Sequence, residues 1–108
     1  MRILVVCGAG ASSTFVAQRV RRAAHARGLA LTAFAGTEPS LMIDLDTVDV
    51  VLVGPHLAPE ITRIERSAAR HGVRVVLLPD DVFTDLTGER TLDLLLDTLA
   101  AQPADPNV

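Results

Sequence analysis

Residues 2–14 read R-I-L-V-V-C-G-A-G-A-S-S-T, an apolar run followed by the chain's only cysteine and a series of small residues. The run Arg2–Val6 is apolar after its first residue, which predicts a short strand buried on both faces of a parallel sheet. Cys7 follows this strand directly. The small residues after it are typical of a loop whose backbone N–H groups approach an anion closely. The stretch therefore predicts a strand, an anion-binding loop and, from Ser12, a helix.

Strand and helix patterns alternate along the rest of the chain. Further strands are predicted at Leu29–Ala35, Asp49–Val53 and Val73–Leu78, and helices at Ser12–Arg27, about Ala58–His71 and Glu89–Ala101, with a turn or short helix within Thr37–Thr47. Uniformly apolar strands and right-handed crossovers predict an α/β fold, a four-stranded parallel sheet of flavodoxin-like order 2-1-3-4 with helices on both faces. Residues 1–101 are expected to form this single domain, and residues 102–108, which contain two prolines, a disordered tail.

The predicted strand order also predicts where a ligand binds. In open α/β sheets, ligands bind outside the carboxyl ends of the strands, at the point where the order reverses. In the order 2-1-3-4 this point lies between the first and third strands. The loops Cys7–Ser13 and Gly54–Ala58 are expected to meet there.

Composition excludes several classes of protein. The net charge is −3, and the ten basic residues form no run that could follow a phosphate backbone, so nucleic acid is not an expected partner. A single cysteine excludes an internal disulfide and suits the cytoplasm. No apolar stretch approaches the length of about 18 residues that a membrane span needs, so no direct membrane insertion is expected. No metal-ligand spacing is found, and neither a metal site nor a cofactor is predicted.

The loop after the first strand carries the candidate chemistry. Its small residues are Gly8, Ala9, Gly10 and Ala11, and the hydroxyl donors that follow are Ser12, Ser13 and Thr14. Ser12 or Ser13 is expected to cap the next helix, whose N-terminus favours negative charge by about 0.3–1 kcal/mol. This corresponds to a decrease of up to about one unit in the pKa of a nearby thiol. We therefore expect Cys7 to be substantially ionised at neutral pH.

Three other interpretations of the loop compete with an anion-binding site. Cys7 could be a small buried hydrophobe that extends the strand. Gly8–Gly10 supplies the start of a dinucleotide-binding fingerprint, but Ser13 replaces its third glycine and the chain is too short for two mononucleotide-binding halves. A cysteine-dependent phosphatase places an arginine where Ser13 stands, and the next basic residue, Arg19, lies inside the predicted helix. A loop that holds phosphate on sulfur without this arginine favours a phosphoryl carrier.

With the motifs Cys7–Thr14 and Asp49–Pro55, the chain resembles the IIB components of bacterial phosphoenolpyruvate-dependent sugar phosphotransferase systems, in the lactose/cellobiose (chitobiose) class. The resemblance covers nearly the whole chain, including a weaker match over Asp80–Leu99. It implies that Cys7 accepts a phosphoryl group from a phosphohistidine of the IIA component, with residues 8–14 around the phosphate. The group then passes to a sugar held by the membrane permease IIC, through which the cytoplasmic protein associates peripherally with the membrane.

The chain departs from the family pattern at three positions. Gly8 stands where the family often has serine, Ala11 where methionine is common, and His56 where glutamine commonly follows Gly-Pro. His56 belongs to the second loop expected at the site, formed by Gly54, Pro55 and His56. It either donates to the phosphate or is a solvated side chain, and the solvated state is favoured. Two alternative functions stay open: a regulatory module that senses phosphorylation, and a low-molecular-weight phosphatase-like or arsenate-reducing enzyme.

Overall fold

A computed structural model describes residues 1–7 and 10–100, apart from the side chains of Gly10 and Ala11. Its elements are β1 (Arg2–Val6), α1 (Gly10–Ala26), β2 (Thr32–Ala35), α2 (Leu41–Asp44), β3 (Val50–Val53), a 3-10 helix (Pro55–Glu60), α3 (Ile61–Ala69), β4 (Arg74–Leu77), a 3-10 turn (Val82–Thr84) and α4 (Glu89–Ala100). The strands form one parallel sheet of order β2-β1-β3-β4. The predicted fold and strand order are confirmed.

Strand β1 lies between β2 and β3, and its side chains divide the core in two. Side chains of successive strand residues point to opposite faces of a sheet. Ile3 and Val5 therefore pack with α1 and α4, whereas Leu4 and Val6 pack with α2 and α3. All four side chains are fully buried, as expected for a central strand covered on both faces. Cys7 continues the series of Ile3 and Val5 and belongs to the core that α1 and α4 cover.

The predicted third helix is wrong at its start. Instead of beginning near Ala58, the segment after β3 forms the 3-10 helix Pro55–Glu60, and the α-helix begins only at Ile61. Pro59 accounts for the difference, because its ring has no N–H to donate and disfavours α conformation at the residue before it. The second strand is also shorter than predicted, since residues 29–31 precede β2.

The beginning of α4 packs directly on α1. Gly88 has φ +76°, and a Cβ atom there would lie 2.3 Å from the carbonyl oxygen of Arg19. The Asp85 carboxylate, 6% exposed, accepts hydrogen bonds of 2.8 Å from both the N–H and the hydroxyl of Thr91. Burial acts to raise the pKa of Asp85, but hydrogen bonds from Thr91 and the Arg90 backbone, with the Arg90 charge, hold it below its ordinary value. These contacts fix the start of α4 against the helix that follows Cys7.

Candidate functional site

Cys7 lies at the carboxyl end of β1, beside the carboxyl end of β3. The N–H of Gly54, the first residue after β3, donates to the carbonyl oxygen of Val6 across 2.8 Å. The strand order therefore brings together Cys7 and Gly54 from the two predicted loops. This is the switch point of the sheet, where α/β proteins bind their ligands.

Gly54 is in direct contact with Cys7. A Cβ atom at position 54 would lie 2.7 Å from Cα, 3.0 Å from Cβ and 3.2 Å from Sγ of Cys7. The backbone of Gly54 has φ −65°, which any residue adopts, so glycine is needed here for space. The Gly-Pro pair after an apolar strand was predicted to belong to the site, but its contact with the cysteine follows only from the pairing of β1 with β3.

Ser13 is the polar side chain that holds Cys7. It is 1% exposed, and its Oγ accepts a 2.9 Å hydrogen bond from the Cys7 N–H. The prediction that Ser12 or Ser13 caps the helix is wrong, because α1 already begins at Gly10 and both serines lie within it. From the first turns of α1, the Ser13 hydroxyl reaches back to the residue that directly follows β1.

The environment of the Cys7 thiol differs from the predicted one. The side chain is fully buried, and burial raises the pKa of Cys7 above its ordinary value; a hydrogen bond from Ser13 acts in the opposite direction but is outweighed. The expectation of a substantially ionised thiol is therefore wrong for this conformation. Alternation along β1 is the reason, since it directs Cys7 to the same apolar face as Ile3 and Val5.

The other predicted site residues differ in burial and in whether the structure describes them. Gly8 and Ala9 lie outside the described residues, and Gly10 and Ala11 contribute the first backbone of α1. Ser12 is half-buried and Thr14 exposed. Pro55 is half-buried at the start of the 3-10 helix. His56 is exposed, and both of its interpretations stay predictions.

Replacing Gly54 by alanine is expected to displace Cys7. The new methyl group would overlap a backbone atom, which cannot rotate away, so we expect a loss of about 1–3 kcal/mol in the free energy of unfolding. The ionisation midpoint of the thiol should also change, because Sγ moves relative to Ser13. Urea unfolding measures the first effect, and ultraviolet absorbance of the thiolate against pH measures the second.

Gly36→Ala is a matched control for this experiment. Its Cβ would meet Cδ1 of Leu4 at 2.6 Å, so it also introduces crowding, but against the end of a flexible side chain on the other face of β1. We expect a smaller loss of stability and an unchanged thiol midpoint. An unchanged midpoint in Gly54→Ala as well would contradict the proposed packing of Gly54 on the sulfur.

A groove of about 540 Å³ lies at the carboxyl end of β4, between the 3-10 helix and α4. Pro55 and Ala58 line it on one side and Leu94 on the other, with Leu77 and Leu78 between them. Cys7 is not among its lining residues.

Two further findings concern residues 1–7 and 10–100. No helix in this part of the chain is long and apolar enough to cross a membrane. In the same residues, no group of three or more His, Cys, Asp or Glu side chains is arranged to hold a metal ion.

Comparison with known proteins identifies the family. Residues 2–92 match the model of the family described as "PTS system, Lactose/Cellobiose specific IIB subunit". The chain belongs to this family. Membership assigns it to the IIB phosphotransfer subunits of the phosphotransferase system, as the motifs around Cys7 and Gly54 predict. No curated protein matches the sequence.

Solved structures of IIB components resemble this IIB subunit over nearly its whole length. The lactose-specific IIB component domain from Streptococcus pneumoniae is 18% identical with a TM-score of 0.81, covering 90% of this chain and 95% of its own. The cellobiose-specific phosphotransferase IIB component from Borrelia burgdorferi is 29% identical with a TM-score of 0.71, covering 93% of this chain and 92% of its own. The first likeness shows the fold, and the second agrees with the family.

Proposed function

We propose that Cys7 is the residue of this IIB subunit that carries the phosphoryl group. The observation that supports this most directly is that a IIB-family chain has its only cysteine at the switch point of the sheet. The cysteine directly follows β1 and precedes the segment leading into α1, and a helix N-terminus stabilises negative charge. Residues 8–14 then surround the phosphate, as the family motif implies, and Gly54, Pro55 and His56 form the second loop.

The transfer exchanges one bond to phosphorus for another. The Cys7 sulfur attacks the phosphorus of a phosphohistidine on IIA, so an S–P bond forms as the P–N bond breaks. The thiol proton leaves the sulfur, and the imidazole nitrogen that loses phosphorus takes up a proton. In the second transfer, a sugar hydroxyl oxygen attacks the phosphorus and loses its proton. The electron pair of the broken S–P bond returns to sulfur, which takes up a proton to restore the thiol. The sugar is held by IIC, and no cofactor is required.

Burial keeps the thiol of this carrier unreactive until a partner docks. A raised pKa keeps Cys7 mostly as the neutral thiol near pH 7, and a neutral thiol is a poor nucleophile. Since the side chain is fully buried, transfer requires the sulfur to be uncovered when IIA docks. The thiolate formed then has higher intrinsic nucleophilicity than one of low pKa, because nucleophilicity rises with thiol pKa.

The surroundings of Cys7 favour a carrier over a phosphatase. Hydrolysis of a phosphocysteine needs a cation on the phosphoryl oxygens, for which arginine in the loop is suited. Here Ser13 stands at that position, and its hydroxyl is bound to the Cys7 backbone. The guanidinium of Arg19 donates instead to the carbonyl oxygen of Phe83 across 3.0 Å, away from the loop.

The proposed setting follows from the family. The partners are the IIA phosphohistidine protein, the membrane permease IIC and the sugar, with neither nucleic acid nor direct membrane insertion. The protein is then cytoplasmic and associates with the membrane peripherally through IIC. Residues 1–101 form the phosphocarrier domain in this proposal, whereas the predicted disordered tail, residues 102–108, lies outside the described residues.

The test is phosphorylation by a phosphoenolpyruvate-driven relay. The protein is incubated with phosphoenolpyruvate, the general relay proteins and cognate IIA, and is then examined by intact and peptide mass spectrometry. One phosphate on the peptide containing Cys7 is the expected result. No adduct with any cognate relay would contradict the carrier function, and rapid hydrolysis of an aryl phosphate would favour the phosphatase alternative.

A further inference from the structure

We propose that Ser13 is a positioning residue for Cys7: its hydroxyl holds the cysteine backbone and donates a hydrogen bond to the sulfur when the thiol ionises. This inference rests on the carrier function proposed above. It differs from the role of phosphate ligand that the sequence predicts for Ser13.

The hydrogen bonds of Ser13 carry the inference. A serine hydroxyl has one proton to donate and two lone pairs that accept. Ser13 Oγ accepts the Cys7 N–H at 2.9 Å, so the proton of the same hydroxyl remains available for another acceptor. The Cys7 sulfur is the acceptor in this proposal, because the same Oγ already binds the backbone of Cys7 in a buried position. A side-chain hydrogen bond from Ser13 also acts to lower the pKa of the thiol. A single hydroxyl thus joins the backbone and the side chain of Cys7.

Because both side chains are buried, an ionised Cys7 sulfur depends strongly on this hydrogen bond. Ser13 is 1% exposed and Cys7 fully buried, so water is not available to replace the hydroxyl at the sulfur. The Gly54 backbone restricts the same sulfur, because a Cβ atom there would come within 3.2 Å of it. A charged sulfur confined in this way depends on the donors that reach it, and Ser13 supplies one among the residues that the structure describes. Ser13 is therefore placed to reduce the burial penalty at the moment of transfer.

The experiment measures thiol ionisation directly in each variant. The chain has one cysteine and neither tryptophan nor tyrosine, so the ultraviolet absorbance of the thiolate against pH reports Cys7 alone. Ser13→Ala is expected to raise the ionisation midpoint by about one pH unit, a tenfold decrease in the ionised fraction at neutral pH. Ser67→Ala, the same change at a half-buried serine of α3 outside the site, should leave the midpoint unchanged.

A second pair of variants separates the hydroxyl from packing. Ser13→Thr and Ser13→Val introduce side chains of the same shape, of which only threonine has a hydroxyl. Threonine should keep the midpoint near that of the unmodified protein, and valine should raise it as alanine does. If Ser13→Ala shows no cooperative unfolding transition, the threonine and valine variants replace it as the test. Equal midpoints for Ser13→Ala and Ser67→Ala, or for the threonine and valine variants, would overturn the role of Ser13.

The relay assay connects ionisation to transfer. Adduct formation in Ser13→Ala should be about tenfold slower at neutral pH than in the unmodified protein, and the difference should decrease as pH rises through the thiol pKa. A rate deficit that is the same at every pH would indicate a structural defect and contradict the inference. An unmodified protein that forms no adduct would contradict the carrier function, whereas the titration result would be unaffected.

Discussion

Cys7→Ser is expected to abolish the phosphate adduct formed in the relay assay while the protein still folds. A serine hydroxyl is a weak nucleophile without a neighbouring general base, and among the residues that the structure describes Ser13 is the side chain bound to Cys7. Ser13 can pair with the new hydroxyl, which limits the cost of burying a polar group. We expect a loss of about 1–3 kcal/mol in the free energy of unfolding.

Cys7→Ala provides the second variant for this prediction. It also removes the nucleophile, but it leaves no polar group in the fully buried position. Both variants should unfold cooperatively on heating and show no phosphate by mass spectrometry. A Cys7→Ser protein that still carries phosphate would assign the acceptor to another residue. If both variants are unfolded, the interpretation of Cys7 as a structural core residue gains support.

Gly88→Ala is expected to cause a large loss of stability. Alanine at φ +76° costs about 1–2 kcal/mol from backbone strain alone. Its Cβ would also lie 2.3 Å from the Arg19 carbonyl oxygen, so α4 would have to move away from α1. Crowding of this kind adds about 1–3 kcal/mol. The combined loss, about 2–5 kcal/mol, is a large part of the stability of a small domain.

Gly72→Ala separates strain from crowding. Gly72 has φ +69°, close to that of Gly88, but a Cβ atom there would meet no atom within 4 Å. Urea unfolding of the two variants should show a loss for Gly72→Ala that reflects strain alone, and a clearly larger loss for Gly88→Ala. Equal losses would mean that the contact between α4 and α1 yields without cost, contrary to the packing described.

The architecture could be predicted because its signals are local. Uniformly apolar runs such as Arg2–Val6 and Val50–Val53 require a sheet covered on both faces, and right-handed crossovers then leave few strand orders. The boundary at Pro59 also has a local signal, but helical periodicity continues through this proline and predicts too early a start for α3. The start of α1 at Gly10 has no such signal, because serine is typical of a helix cap and the partner of Ser13 is known only from the packing of α1 on Cys7.

Some properties of the candidate site could likewise be predicted from the sequence, whereas others depend on the tertiary structure. By itself the sequence determined that Cys7 ends the first strand, that the Gly54 loop meets it at the switch point, and that the chain has the motifs of the IIB family. Only the tertiary structure decided that the thiol is buried with a raised pKa, that Ser13 binds Cys7 and that Gly54 leaves room for it. These properties depend on distances between residues far apart in the chain. Such distances arise when β1, β3 and α1 pack together.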